Sequence, residues 1–253
     1  MFTTAKIIEK VNIRNIFWKT KLRLNENIGE AKPFQFIMAG ISGEFELPLY
    51  VSLYDHENRL LEVFYKVRGE DTKKLSKHNG FVTVRGFYGK DRMISFNSKS
   101  ILYITEDRGF SVIPFLVDKA NRENGTIDII MIFDSKDEIF QIAELAGVDF
   151  KGSVIYIDKE EIDHGFINLG SFVNMFTEQR QRWDVIIGAG NKDLLKAICK
   201  LSNSYSTNRF LSPFTYVKCG IGACGYCTIP KTRYSLCVDG TLFTCEEISA
   251  FLR

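Results

Sequence analysis

The chain has 253 residues, with 33 lysines and arginines against 31 aspartates and glutamates, three histidines and a formal net charge of +2. That balance gives no reason to expect nucleic acid or an anionic membrane surface as a partner, and no stretch approaches the ~20 apolar residues of a membrane-spanning helix. Apolar residues at 45% and aromatics at 13% suffice for ordinary cores, and the length exceeds one typical domain, so two compact domains and a small tail are expected.

The first residues, Met1-Phe2-Thr3-Thr4-Ala5-Lys6, lack the apolar run of a signal peptide. Short strand-like runs then follow one another: Lys6 to Val11, Ile16 to Leu24, Phe34 to Met38, Leu49 to Tyr54, Leu60 to Val67 and Phe81 to Gly86. Gly, Asn, Asp and Pro punctuate them. Six such strands predict a closed antiparallel barrel over residues 1–97.

From Ser100 the pattern changes to alternating strands and helices. Ile101–Ile104, Ile127–Phe133, Val154–Ile157 and Trp183–Ile187 read as strands. Helices are predicted over Ser111–Asn121, over Lys136–Ala146 (Ser135 as N-cap, Gly147 as stop), after Ser171 and over Lys192–Leu201. This alternation predicts a parallel sheet with helices on both faces, a Rossmann-like domain over residues 98–210. His56, His78 and His164 sit in polar, loop-like sequence without metal-ligand spacing and read as surface residues. Cys199 lies on an apolar helix face and reads as core. No HExxH, GxSxG or Walker A pattern occurs, which favours an electron carrier over an enzyme with substrate chemistry of its own.

The remaining segment, residues 211–253, holds five of the six cysteines. Cys219, Cys224 and Cys227 are spaced C-x4-C-x2-C, the loop spacing of a plant-type [2Fe–2S] ligand set, and Cys237 follows as a fourth thiol. Gly220, Gly222 and Gly225 allow the backbone to wrap closely and aim N–H groups at sulfur. A four-cysteine zinc site is the alternative, although zinc ribbons pair two C-x2-C knuckles and this chain has one. A disulfide framework belongs to small secreted domains, and thiols kept for a cluster imply a reducing, cytoplasmic compartment.

Cys219-Gly220-Ile221-Gly222-Ala223-Cys224-Gly225-Tyr226-Cys227, followed by Cys237-Val238-Asp239-Gly240-Thr241-Leu242-Phe243, resembles the iron–sulfur electron-transfer subunit of dihydroorotate dehydrogenase, within the ferredoxin-reductase-like superfamily. Thr241 replaces the proline of the family motif, and Cys245 is left as a spare, read as a buried thiol. The resemblance implies that the barrel is an FAD domain. By it, Pro48, Leu49, Tyr50 and Ser52 lie along the flavin, and Gly69 and Thr72 open a short helix at the pyrophosphate, where N–H groups and a hydroxyl suit phosphate. Arg85-Gly86-Phe87-Tyr88-Gly89 resembles the family's G-P-x-G corner. It also implies an FMN-containing, dihydroorotate-oxidising catalytic partner in a heterotetramer of two of each subunit, working in pyrimidine biosynthesis, with electrons leaving through the cluster and FAD.

Two departures stand out. Leu47 and Tyr50 occupy the arginine and serine places of the family's flavin strand, removing a guanidinium clamp for which Lys66 or Arg68 is the candidate substitute. Thr105-Glu106-Asp107-Arg108-Gly109 stands where the family has a glycine-rich nucleotide turn, and Ile187-Gly188-Ala189-Gly190-Asn191 lacks the Cys and Pro of its nicotinamide turn. Like charges ~4 Å apart repel by about 4 kcal/mol at an effective dielectric of ~20, so two carboxylates beside a pyrophosphate predict that NAD binding is weak or lost. Two other readings remain: a flavin and iron–sulfur subunit of a hydrogenase or sulfur reductase, and a zinc-stabilised interaction module without enzymatic activity.

Overall fold

Strands with one face toward a common interior build the amino-terminal half. The computed structural model describes residues 2–92, 94–147, 149–161, 169–174 and 182–253. β1 (Phe2–Ile13), β2 (Phe17–Leu24), β3 (Phe36–Ile41), β4 (Phe45–Asp55), β5 (Leu60–Lys66) and β6 (Phe81–Tyr88) close a barrel in the order β1-β2-β5-β4-β3-β6. Every neighbouring pair is antiparallel. Ala5, Leu22, Ile37, Val51, Leu61 and Val84 fill its interior, and closure removes the unpaired edges that an open sheet would expose. α1 (Glu70–Lys77) joins β5 to β6.

β7 (Ser100–Glu106), β8 (Thr126–Phe133), β9 (Val154–Asp158), β10 (Val185–Gly190) and β11 (Arg209–Pro213) form a parallel sheet ordered β11-β10-β7-β8-β9. Its central strands are buried almost end to end, as a parallel sheet covered on both faces requires. α2 (Ile113–Arg122), α3 (Ile142–Ala146), α4 (Leu169–Asn174) and α5 (Lys192–Lys200) connect the strands.

Several expectations need correction. The helix expected over 136–146 is a single 3₁₀ turn at Lys136–Glu138 and then the one-turn α3, which ends at Gly147 with φ 66° as expected. The helix expected from Ser111 starts later, at Ile113, after a 3₁₀ turn over Asp107–Val112. Gly188 and Gly190 lie inside β10, so the turn follows them; a Cβ on Gly188 would fall 2.3 Å from Ile198 Cδ1 of α5. Close packing of helix on strand therefore explains that glycine. β11 was not anticipated. Cys199 and Cys245, read as separate buried thiols, are joined in a disulfide across 46 residues with Cα atoms 6.0 Å apart. It ties the end of α5 to the carboxyl-terminal segment. Leu211 of β11 and Phe243 add reciprocal backbone hydrogen bonds of 2.7 and 2.9 Å to the same attachment. His164 lies outside the described residues, His56 is exposed and His78 is half-buried. Among the described residues no helix is long and apolar enough to cross a membrane.

The barrel and the sheet share a core. Phe17 and Phe64 of the barrel pack with Phe110, Phe133 and Phe140, with Phe17–Phe140 and Phe110–Phe133 ring centroids 5.1 and 4.7 Å apart. Above them Lys66 at the end of β5 reaches Asp134 at 2.8 Å and Glu138, and Lys159, just past the end of β9, reaches Asp134 at 2.8 Å. Burial pushes the Asp134 carboxyl up, but its hydrogen bonds to Lys159 and Lys66 prevail and hold it well below the usual carboxylate range. A carboxyl so lowered stabilises the fold fully above its unfolded value near 4, and the contribution fades as pH falls through the folded value. Asp134→Asn should therefore cost about 1 kcal/mol at pH 7, a figure reduced for its exposure to solvent. The gap to wild type should narrow progressively as pH falls below about 4 in urea melts. A gap independent of pH would refute the charge-pair account.

Candidate functional site

Beyond β11 the chain is mostly turns, and its glycines set the path. Gly220, Gly222 and Gly225 adopt φ values of 74°, 80° and 71°, open to glycine and strained for other residues. The result is a loop whose N–H groups face sulfur: Gly222 N–H donates to Cys237 Sγ at 3.1 Å. α6 (Leu236–Asp239) carries Cys237 and is held at its start by Ser235 N–H donating to Asp239 Oδ2 at 2.7 Å. Cys227 and Cys237 are buried with their sulfurs 3.2 Å apart. Cys219 and Cys224 are both half-exposed. The N–H of Ile221 above all, then the Cys224 thiol and the N–H groups of Cys224 and Ala223, pull the Cys219 thiol down to about 6. Burial, and then Cys227, push the Cys237 thiol up to about 12.

The four thiols thus form two pairs, Cys219 with Cys224 and Cys227 with Cys237. A two-iron cluster calls for that grouping, because each tetrahedral iron takes two bridging sulfides and two thiolates. Among the described residues no three His, Cys, Asp or Glu side chains converge as ligands of a single ion do. Four free cysteine thiols with a backbone N–H aimed at sulfur are a donor set that fits an iron–sulfur cluster.

Arg85 of β6 locks this loop to the barrel. Its Nη1 donates to the Cys219 carbonyl at 2.8 Å and to the Tyr88 hydroxyl at 3.1 Å, while Nε and Nη2 donate to Glu46 at 2.8 and 2.7 Å. Neither Arg85 nor Glu46 was picked out as a site residue. They meet only because β3 sits between β4 and β6 in the closed barrel, a neighbourhood that no local motif encodes.

A cleft of about 440 Å³ opens between β4, β5, the start of α1, the turn after β7 and residues Phe214–Val217. Pro48, Leu49, Tyr50 and Thr72 line it, as does Leu47. Ser52 is fully buried in the barrel, and Ser52 and Gly69 are not among the lining residues. The Tyr50 hydroxyl lies 3.3 Å from Ser212 Oγ, and burial pushes it up. The Thr72 hydroxyl accepts from the N–H groups of Arg68 and Gly69 and donates to the Gly69 carbonyl, so it caps α1. Walls of Phe36, Phe64, Tyr65, Pro48 and Phe214 with a few charged groups suit a flat conjugated ring bearing an anionic arm. The cleft also adjoins the cysteines: Tyr216 and Val217 line it just before Cys219, and Leu236 lines it next to Cys237.

At the switch point of the sheet, between the ends of β7 and β10, the chain fills its own crevice. Glu106 is buried there. Its Oε1 accepts the Asn191 N–H at 2.6 Å, and its Oε2 pairs with Lys159 Nζ at 2.9 Å. A Cβ on Gly109 would fall 1.9 Å from Thr105 Oγ1, so the turn packs tightly on the sheet.

Residues 215–249 match the family model described as the iron–sulfur cluster binding domain of dihydroorotate dehydrogenase B. The chain is 26% identical to the dihydroorotate dehydrogenase B (NAD(+)), electron transfer subunit, of Caldanaerobacter subterraneus subsp. tengcongensis, over 98% of this chain and 96% of that one. It is 28% identical to the probable subunit of the same name from Thermococcus kodakarensis, over 91% of each. Among solved structures, one described as an NADH-dependent reduced ferredoxin-NADP oxidoreductase superposes with a TM-score of 0.77 at 22% identity, over 96% of this chain and 88% of that one. A ferredoxin reductase of carbazole 1,9a-dioxygenase gives 0.61 at 15% identity, over 78% and 63%. The fold is ferredoxin-reductase-like, its carboxyl-terminal segment matches an iron–sulfur cluster binding domain, and the chain is similar over most of its length to these electron-transfer subunits.

Proposed function

We propose that the chain is the electron-transfer subunit of a dihydroorotate dehydrogenase complex. Cys219, Cys224, Cys227 and Cys237 would hold a [2Fe–2S] cluster, and the cleft beside them a flavin, read as FAD. The partner would be the FMN-containing subunit that oxidises dihydroorotate, in a cytoplasmic complex with two copies of each. The observation that carries this reading is the shared wall: Tyr216, Val217 and Leu236 belong at once to the cleft and to the segments bearing Cys219 and Cys237. Two redox groups held so would lie close together without any moving part.

When bound, the cluster supplies one-electron transfer and the flavin couples single electrons to two-electron chemistry. The protein's part is position and environment. Arg85 fixes the Cys219 end of the loop to the flavin barrel. The N–H of Gly222, aimed at Cys237 Sγ, stabilises thiolate charge.

The relatives named above carry NAD(+) in their names, yet this chain reads as one that does not use it. Support comes from Glu106, whose carboxylate already takes the Asn191 N–H and the Lys159 ammonium at the crevice where a pyrophosphate would need donors. Electrons would then leave by another acceptor.

The test is anaerobic co-purification with the catalytic subunit. About two irons and two acid-labile sulfides per chain are expected, with extractable flavin and a paramagnetic signal on adding dihydroorotate. NADH should neither reduce the protein nor bind with micromolar affinity. Bound zinc, or iron that dihydroorotate leaves oxidised, would refute the reading; tight NADH binding would refute its last part alone.

A further inference from the structure

The arginine missing at Leu47 leaves an open question about what would hold the anionic arm of a flavin nucleotide. Three cations line the cleft: Lys66, Arg68 and Arg108. Lys66 is largely buried and committed to Asp134 and Glu138. Arg68 is paired with Asp107 at 2.8 Å and with Asp134 at 3.2 Å. Arg108 is different. Its side chain is 44% exposed, and its carboxylate contact is a long one, Nε to Asp107 Oδ2 at 3.8 Å, on a carboxylate whose Oδ1 is held by Arg68 at 2.8 Å. A hydrogen bond of 3.3 Å from its Nη1 to the Thr215 carbonyl aims it across the cleft, and it lies over the Phe214 ring at 5.6 Å. Leu47 and Tyr50, on the strand that lost its own arginine, line the same cleft.

We propose that Arg108 is the phosphate clamp of the flavin site: a guanidinium on the turn after β7, contributed by the sheet domain in place of the barrel strand. This rests on reading the cleft as a flavin nucleotide site. It also accounts for the altered turn. Residues 105–109, where the family binds a dinucleotide through glycines, would here serve the neighbouring cleft through one side chain. Glu106 points into the crevice at the switch point and Arg108 points out of it. A planar guanidinium can meet two phosphate oxygens at once, which a lysine cannot.

The experiment uses the full chain with its cluster loaded and its flavin removed, titrated with FAD and with riboflavin, which shares the ring and lacks phosphate. Arg108→Gln should weaken FAD binding by about ten- to a hundredfold and change riboflavin binding less than about twofold. Arg108→Lys should fall between wild type and Arg108→Gln for FAD. Equal FAD affinity in wild type and Arg108→Gln would overturn the proposal and leave the flavin reading intact. So would an equal loss of both ligands. A wild-type chain that binds neither ligand would bring down the flavin reading itself, and the clamp with it.

Discussion

Replacing Cys237 by serine should yield a protein without the visible absorption of the iron–sulfur centre, and a complex unable to pass electrons from dihydroorotate to its acceptor. The expected loss is complete within detection. Each thiol of a four-cysteine set supplies half of one iron's thiolate ligands, and a serine hydroxyl is a far poorer donor to iron. Cys237 is also the ligand least replaceable by its surroundings. It is buried, its sulfur sits 3.2 Å from that of Cys227, and the Gly222 N–H is aimed at it. Serine puts a hydroxyl oxygen on a shorter bond where the Gly222 N–H meets sulfur, and leaves Cys227 beside an oxygen in place of a second thiol. Flavin content supplies the control. The cleft is walled by Leu236 and by residues of the barrel, so Cys237→Ser should keep its flavin while losing iron. Iron analysis, the visible spectrum and flavin extraction on one sample decide the matter. Iron retained at wild-type level, with normal turnover of the complex, would remove Cys237 from the ligand set.

What the sequence revealed and what it hid follow from the range of the physics involved. The gathering of the four cysteines was readable because three of them sit on one loop, so their spacing and glycine placement are local properties. The barrel was readable for a related reason: each strand writes its alternation in its own few residues, and all six expected strands are present. The helix expected over 136–146 failed because its apolar residues serve a different end. Phe140 breaks from the helical path to complete the aromatic cluster with Phe17, Phe110 and Phe133. Tertiary packing there outweighed a helical propensity of a few tenths of a kcal/mol per residue, about what such preferences are worth. The Cys199–Cys245 bridge was illegible because its partners are 46 residues apart and meet only when β11 brings the carboxyl-terminal segment beneath α5. Arg85 escaped for the same reason, since its partners Glu46 and Cys219 are 39 and 134 residues away. Glu106 was read as a misplaced charge near a phosphate site. In the fold it is a satisfied one, because the crevice supplies it with an N–H and an ammonium.

A docking face should also be demonstrable by charge. Tyr216, Ile221, Tyr226 and Val238 are large apolar side chains that remain 79%, 65%, 62% and 52% exposed, and all four lie within three residues of a candidate cluster ligand. Among the described residues the other exposed large apolar side chains, Phe2, Ile8, Val11 and Phe81, are on the barrel, so this group stands apart on the cysteine-bearing segment. Apolar groups gathered around a site that must exchange electrons with another protein mark a surface meant to be covered, because exclusion of water there lowers the cost of close approach. The Ile221→Glu, Val238→Glu double variant should weaken association with the catalytic subunit by about a hundredfold, taking about 1.4 kcal/mol for each buried anchor replaced by a charge. Both side chains are more than half exposed, so the iron content and visible spectrum of the isolated variant should match wild type. That pairing separates docking from assembly of the cluster. Calorimetric titration of one subunit into the other gives the first quantity and absorption the second. An unchanged affinity with an intact cluster would place the partner elsewhere on the molecule, with the barrel face around Phe2 and Phe81 the next surface to test.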